Sequence, residues 1–238
     1  ICASRKSEVQ LFLGQLLLDQ GRAKDAGDVF REVLQNSGEA EANVGLIRVA
    51  MAERDPAAVL SSLNKASAAR ITYRELVPLV QSLETAEEFG KTLIAECLKA
   101  FDAGDAELQP LTTWFCAATA AELEMMEQQG ALLKATLELE PDQELMLETL
   151  DKYAGGLLVA GEYQQAARIF EQMLAQPGLP DGVRVNALFR IAIAYGALKD
   201  LKAARAAINQ ALQLLPNEPQ LLMRLAAIEA MDGKLEEI

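Results

Sequence analysis

Lys152 and Arg190 stand 38 residues apart, and Arg224 follows 34 residues later. Each is followed at once by an apolar residue and then by a small one: Tyr153-Ala154, Ile191-Ala192 and Leu225-Ala226. Cations that recur at a structural period stack on one line, and such a line attracts carboxylates. Asn186 and Gln220 lie four residues before Arg190 and Arg224, one helical turn away, where an amide can bond a partner's backbone. The chain carries 22 basic and 35 acidic residues, a net charge of −13, so three aligned cations stand out. The competing use of the row is intramolecular, through ion pairs to Glu148 or Glu229.

Other chemistry finds little support. "FGKT" at 89–92 has the Gly-Lys-Thr of a phosphate loop, but the glycine required five residues earlier is Thr85. Amphipathic helix surrounds it, with no strand before it. Acidic residues crowd between Glu122 and Asp151 without the alternating carboxylate–glycine spacing of a calcium loop, which reads as a solvated face. The three cysteines, Cys2, Cys97 and Cys116, are too few and too scattered for a disulfide framework or a metal knuckle. Cys97, Cys116 and Trp114 lie in apolar stretches and read as core. The sequence has no histidine, so catalysis loses its commonest general base and a metal its commonest ligand. The reading is a non-enzyme with no cofactor and no metal. The acidic balance, with no basic run, speaks against nucleic acid. No stretch reaches the roughly 20 apolar residues of a membrane span.

The elements that would position the row are helices. Of 238 residues 51% are hydrophobic and only 5% aromatic; Ala and Leu dominate, which favours helices in close contact. Aligning 150–174 with 188–212 pairs Ala166 with Ala204, Phe170 with Ile208 and Met173 with Ala211. A third copy at 11–34 repeats the pattern with Leu13-Gly14, Leu17, Gly21, Ala26, Phe30 and Val33. A fourth at 44–66 has Leu46, Ala50, Val59, Leu63 and Ala66, and a partial fifth begins at Pro219. Asp55-Pro56 and Asn217 with Pro219 are helix starts, while Pro141 and Pro216 end helices.

This repeat resembles the tetratricopeptide repeat family over residues 7–68 and 147–238, a helix–turn–helix unit of about 34 residues. The resemblance implies an all-α, right-handed superhelical solenoid of stacked helix pairs. Gly14, Ala154 and Ala192 would face Ala26, Ala166 and Ala204 at the close approach within each pair. It also implies that Lys152, Arg190 and Arg224 line a concave groove. Family members that clamp acidic tails carry an Asn three residues further on; here those places are Gly155, Ile193 and Ala227, so a looser acidic-peptide groove is expected.

Three regions are expected: an N-terminal pair of repeats at 1–72, a divergent helical middle at 73–143, and C-terminal repeats at 144–238 with the last truncated. In the middle, 110–125 and 130–141 read as a helix pair, and Pro78 should begin or kink a helix. The function expected is a scaffold that binds a protein or peptide segment through Lys152, Arg190, Arg224, Asn186 and Gln220, with Arg190, between the other two cations, weighing most. The rival readings are a self-assembly module, a homo-oligomer formed through the C-terminal end, and a repeat domain appended to a larger envelope, export or enzyme protein. The first residue is Ile1 and the last is Ile238 in mid-pattern, which reads as a piece of a longer chain; a cytoplasmic setting is favoured, or a periplasmic one if a signal or anchor lies outside.

Overall fold

The computed structural model describes residues 2–38 and 40–233. Among them the regular structure is helical: α1 (Cys2–Asp19), α2 (Ala23–Asn36), α3 (Glu41–Ala52), α4 (Pro56–Ala68), α5 (Tyr73–Ser82), α6 (Glu87–Asp102), α7 (Pro110–Glu122), α8 (Met126–Glu138), α9 (Gln143–Val159), α10 (Tyr163–Leu174), α11 (Asp181–Ala197), α12 (Leu201–Leu214) and α13 (Pro219–Met231). A single 3₁₀ turn, Glu84–Ala86, precedes α6. The chain divides into two compact units, Ile1–Met146 and Leu147–Ile238.

One turn, used again and again, makes the helix pairs. In the first, the Gly21 N–H donates to the Leu18 carbonyl and the Arg22 N–H to the Leu17 carbonyl, both at 2.8 Å, with Gly21 at φ +74°. This closure satisfies carbonyls that the helix end leaves open and reverses the chain in two or three residues. The same two bonds recur at Arg54 and Asp55, at Glu124 and Met125, at Gly161 and Glu162, and at Lys199 and Asp200. Asp55 and Asp200 then cap the following helix, each carboxylate accepting a backbone N–H at 3.0 Å.

Within each pair the small residues sit where the period places them. Ala26, Ala154, Ala166, Ala192 and Ala204 are wholly buried, and so are Phe170 and Ile208; Phe30 is nearly so. In the N-terminal unit Leu17, Ala26, Phe30, Val33, Ala42 and Val49 form one cluster. The Phe30 ring lies so close to two helices that a Cβ added at Gly14 or at Gly45 would fall 2.5 or 2.6 Å from it. Only glycine admits the ring there.

The middle of the chain keeps helices but changes their packing. α7 and α8 form the expected pair, and α7 is buried along most of its length against α4, α5, α6 and α8. Its buried threonines bond inward: Thr119 donates to the Phe115 carbonyl at 2.9 Å, and Thr113 and Thr136 share a bond of 2.9 Å between helices. Trp114 is core, 5.2 Å from the Tyr73 ring, as its apolar stretch suggests. Pro78 does not begin α5. The helix starts earlier, because Glu75 turns back to accept the Thr72 N–H at 2.7 Å, and Pro78 is carried inside it. "FGKT" lies within α6 and forms no phosphate loop.

Candidate protein-binding site

The row of cations belongs to the C-terminal unit, with Lys152 on α9, Arg190 on α11 and Arg224 on α13. Lys152 turns to its own helix, its Nζ 3.3 Å from Glu148. Arg190 is more tightly held. One guanidinium nitrogen lies 3.7 Å from Asp151 on α9, and its Nε donates to Asn186 Oδ1 at 3.3 Å. Its plane covers the Phe170 ring at 5.7 Å. Arg224 lies over the Phe189 ring at 5.8 Å and makes no ion pair among the described residues. A cation over an aromatic face at this range gains about 0.5–1 kcal/mol when exposed.

The sequence-derived set is thus partly brought together. Asn186 and Arg190 are bonded, and Asp151, beside Lys152, reaches Arg190 from the neighbouring helix. Gln220 is exposed in the first turn of α13. Glu229, weighed as a partner for the row, is taken by Arg205 of α12, whose Nε donates to it at 2.5 Å while Nη2 reaches Asp232 at 2.7 Å. These two carboxylates hold the Arg205 guanidinium well above its ordinary pKa, Glu229 contributing most. The clamp ties α12 to α13, so the last cation of the row stands on a fixed helix.

Three features of the site escape the sequence reading. Asp151 is one, since it stands next to Lys152 but serves Arg190; its other oxygen, Oδ1, is enclosed without a partner. Phe170 and Phe189 are the second: the repeat assigns Phe170 to packing, and its role as a platform depends on the next helix. The third is Gly155. A Cβ there would lie 2.9 Å from the Arg190 Nη1. The space that a side chain would take at position 155 is filled here by the head of Arg190.

Cys97 and Cys116 are free and buried. Burial pushes the Cys116 thiol well above its usual range, and contact with Cys97 pushes it the same way, so it is a poor thiolate. Among the described residues no three His, Cys, Asp or Glu side chains gather as a metal site, and no helix is long and apolar enough to cross a membrane.

The tetratricopeptide repeat family model matches residues 4–41 and 156–219. No curated protein matches the chain. Among solved structures, PilW, a widely conserved type IV pilus biogenesis factor, is 14% identical, covering 92% of this chain and 98% of its own, with a TM-score of 0.50. PilF of Pseudomonas aeruginosa is 17% identical over 97% of this chain and 100% of its own, with a TM-score of 0.44. YrrB, a tetratricopeptide protein with an unusual peptide-binding site, is 13% identical over 90% and 89%, with a TM-score of 0.45. Repeats of this family are in general non-catalytic scaffolds that bind protein or peptide partners. Two stretches of the chain, 4–41 and 156–219, are thus similar to the tetratricopeptide repeat.

Proposed function

We propose that the C-terminal unit is a non-catalytic scaffold that holds an acidic segment of a partner protein along Lys152, Arg190 and Arg224, with Asn186 and Gln220 at its edge. One observation carries this reading. Arg190 and Arg224 lie over Phe170 and Phe189 at 5.7 and 5.8 Å, which fixes their heads while leaving N–H groups at the edges. Arg224 makes no ion pair among the described residues. A partner carboxylate would compete with Glu148 for Lys152 and with Asp151 for Arg190, so the net gain at those two is small. An exposed ion pair contributes about 0–1 kcal/mol, a charged hydrogen bond away from water about 1.5–3. The weight of the site therefore moves from Arg190 toward Arg224.

Titration of a Glu- and Asp-rich peptide against the wild type, Arg224→Ala and Arg190→Ala tests this. Affinity should fall with salt, fall most in Arg224→Ala, and fall less in Arg190→Ala. Equal affinity in wild type and both variants would mean that the row is internal pairing and that the site is wrong.

A second reading, self-association through α13, has its own observation. Leu222 is 46% exposed whereas Leu188, its counterpart one repeat earlier, is 4% exposed; Met223 is 72% exposed. Light scattering across concentration, with Met223→Glu as the control, decides it: a mass that stays monomeric at high concentration removes this reading.

A further inference from the structure

α1 carries Val9, Phe12, Leu13 and Leu16 at the i, i+3, i+4, i+7 spacing that forms one stripe along a helix. The four side chains are 67%, 71%, 43% and 42% exposed. In the register that pairs Leu13 with Leu46, Ile191 and Leu225, Val9 falls at the place of Ala42, Ala187 and Leu221. Leu16 falls at the place of Val49, Ala194 and Ile228. Those six residues are at most 6% exposed, because α2, α10 and α12 lie against α3, α11 and α13. The face that these other helices use for contact is thus open on α1, and it is apolar there. Covering it with another apolar surface is favourable in proportion to the area removed from water.

The stripe is complementary to itself. Its midpoint lies between Phe12 and Leu13; residues 9 and 16 are equally far from it, and so are 6 and 19. When a second copy of α1 is laid on it antiparallel, Val9 meets the partner's Leu16 and Phe12 meets the partner's Leu13. Lys6 then stands opposite the partner's Asp19. Both charges can turn to each other: the Lys6 side chain is 69% exposed and comes no nearer than 4.0 Å to Glu32, and Asp19 is exposed with one bond of 2.8 Å from Gln15 Nε2. A parallel pair would set Lys6 against Lys6 and Asp19 against Asp19, so charge selects the antiparallel one. The second helix of a repeat fits this face less well. Where such a helix covers α3 and α11 it brings Phe30 to Gly45 and Phe170 beneath Arg190, and the same place on α1 is filled by Phe12. We infer that two copies of this chain associate through an antiparallel, two-fold contact between their α1 helices. This surface lies in the N-terminal unit and is separate from the cation row and from α13.

Light scattering tests it, with a thiol reductant present so that Cys2 cannot link copies. The mass should rise with concentration from 25.8 kDa toward twice that value. Two single helices bury less than the roughly 1,600 Å² of a standard interface, so the midpoint should lie on the order of 100 µM. Phe12→Glu should weaken the dimer more than about tenfold. Its melting temperature at low concentration should match the wild type, since Phe12 is exposed in the monomer. Met223→Glu should leave the dimer unchanged, which separates this contact from any through α13. Lys6→Asp and Asp19→Lys should each weaken it about fivefold, and together they should restore it, because both pairs are then reversed in sign. A chain that stays monomeric up to about 1 mM overturns the inference, as does a Phe12→Glu variant that dimerises like the wild type. Loss of the dimer in Met223→Glu overturns it too, and so does a Lys6→Asp, Asp19→Lys double variant that dimerises no better than either single one.

Discussion

The same place in the repeat is filled in opposite ways in the two units. In the C-terminal unit it holds Lys152, Arg190 and Arg224; in the N-terminal unit, by the register that pairs Leu13 with Leu46, it holds Phe12 and Gly45. Gly45 is buried against the Phe30 ring, and Arg190 lies over the ring of Phe170, so a phenylalanine of the preceding helix meets this place in both. Three residues further on the pattern is reversed. There the N-terminal unit has Gln15 and Arg48, bonded to each other across α1 and α3, and the C-terminal unit has Gly155 and Ile193. Arg190 has room for its head because Gly155 lacks a Cβ. The two units thus carry their basic side chains on two adjacent turns of the repeat.

The largest break in this comparison is to add a methyl group at Gly45. The new Cβ would fall 2.6 Å from the Phe30 ring, which is itself pressed by Gly14, so the ring has no easy retreat. Overpacking of this kind costs about 1–3 kcal/mol, and Gly45→Ala should lie at the upper end. Phe30→Leu should relieve the penalty in a double-mutant cycle. Gly156→Ala is the control, since nothing lies within 4 Å of the added atom and helix propensity favours alanine by about 1 kcal/mol. Urea titrations showing equal effects at 45 and 156 would mean that the Phe30 contact is not tight.

A smaller effect concerns the turn inside each pair. Gly21 and Gly161 take the left-handed place at φ +74° and +81°, whereas Arg54 and Lys199 hold it at +54° and +62° with a Cβ. Lys199→Gly should therefore stabilise by about 1 kcal/mol, and Gly161→Ala should destabilise by a similar amount. A melting temperature lowered by Lys199→Gly would show that its side chain does something at the turn that outweighs the backbone.

What the sequence discloses and what it hides divide along the same line. Positions governed by the period were legible: the small residues Ala154, Ala166, Ala192 and Ala204, the bulky Phe30, Phe170 and Ile208, and the break at Gly21 all follow from one local motif repeated. Trp114 was legible as core for the same reason, an apolar stretch in a helix. The partners of long side chains were not. The row was weighed as pairing with Glu148 or Glu229, and Arg190 meets Asp151 of the neighbouring helix instead. Arg205, outside any pattern, takes Glu229 and Asp232 because α12 and α13 pack in a hairpin. Of the two roles read for Pro78, beginning or kinking a helix, the first fails because the capping pair Thr72 and Glu75 starts the helix ahead of the proline.

The smallest effect is at Gly155, where the comparison is sharpest. As at Gly45, an added Cβ finds an atom closer than contact distance, here the Arg190 Nη1 at 2.9 Å. That atom is the tip of a flexible, one-third exposed side chain, and it can swing away where the Phe30 ring cannot. The loss of a weak ion pair to Asp151, about 0–1 kcal/mol, opposes a helix-propensity gain of about 0.5–1 kcal/mol. Gly155→Ala should therefore leave stability within about 0.5 kcal/mol of the wild type. Its signature should appear in Arg190 instead: the Nε resonance should move, and binding of an acidic peptide should change as the guanidinium leaves Asp151 for the groove. A loss of stability as large as that of Gly45→Ala would mean that Arg190 is locked in place like a core residue, and it could not then turn to a partner.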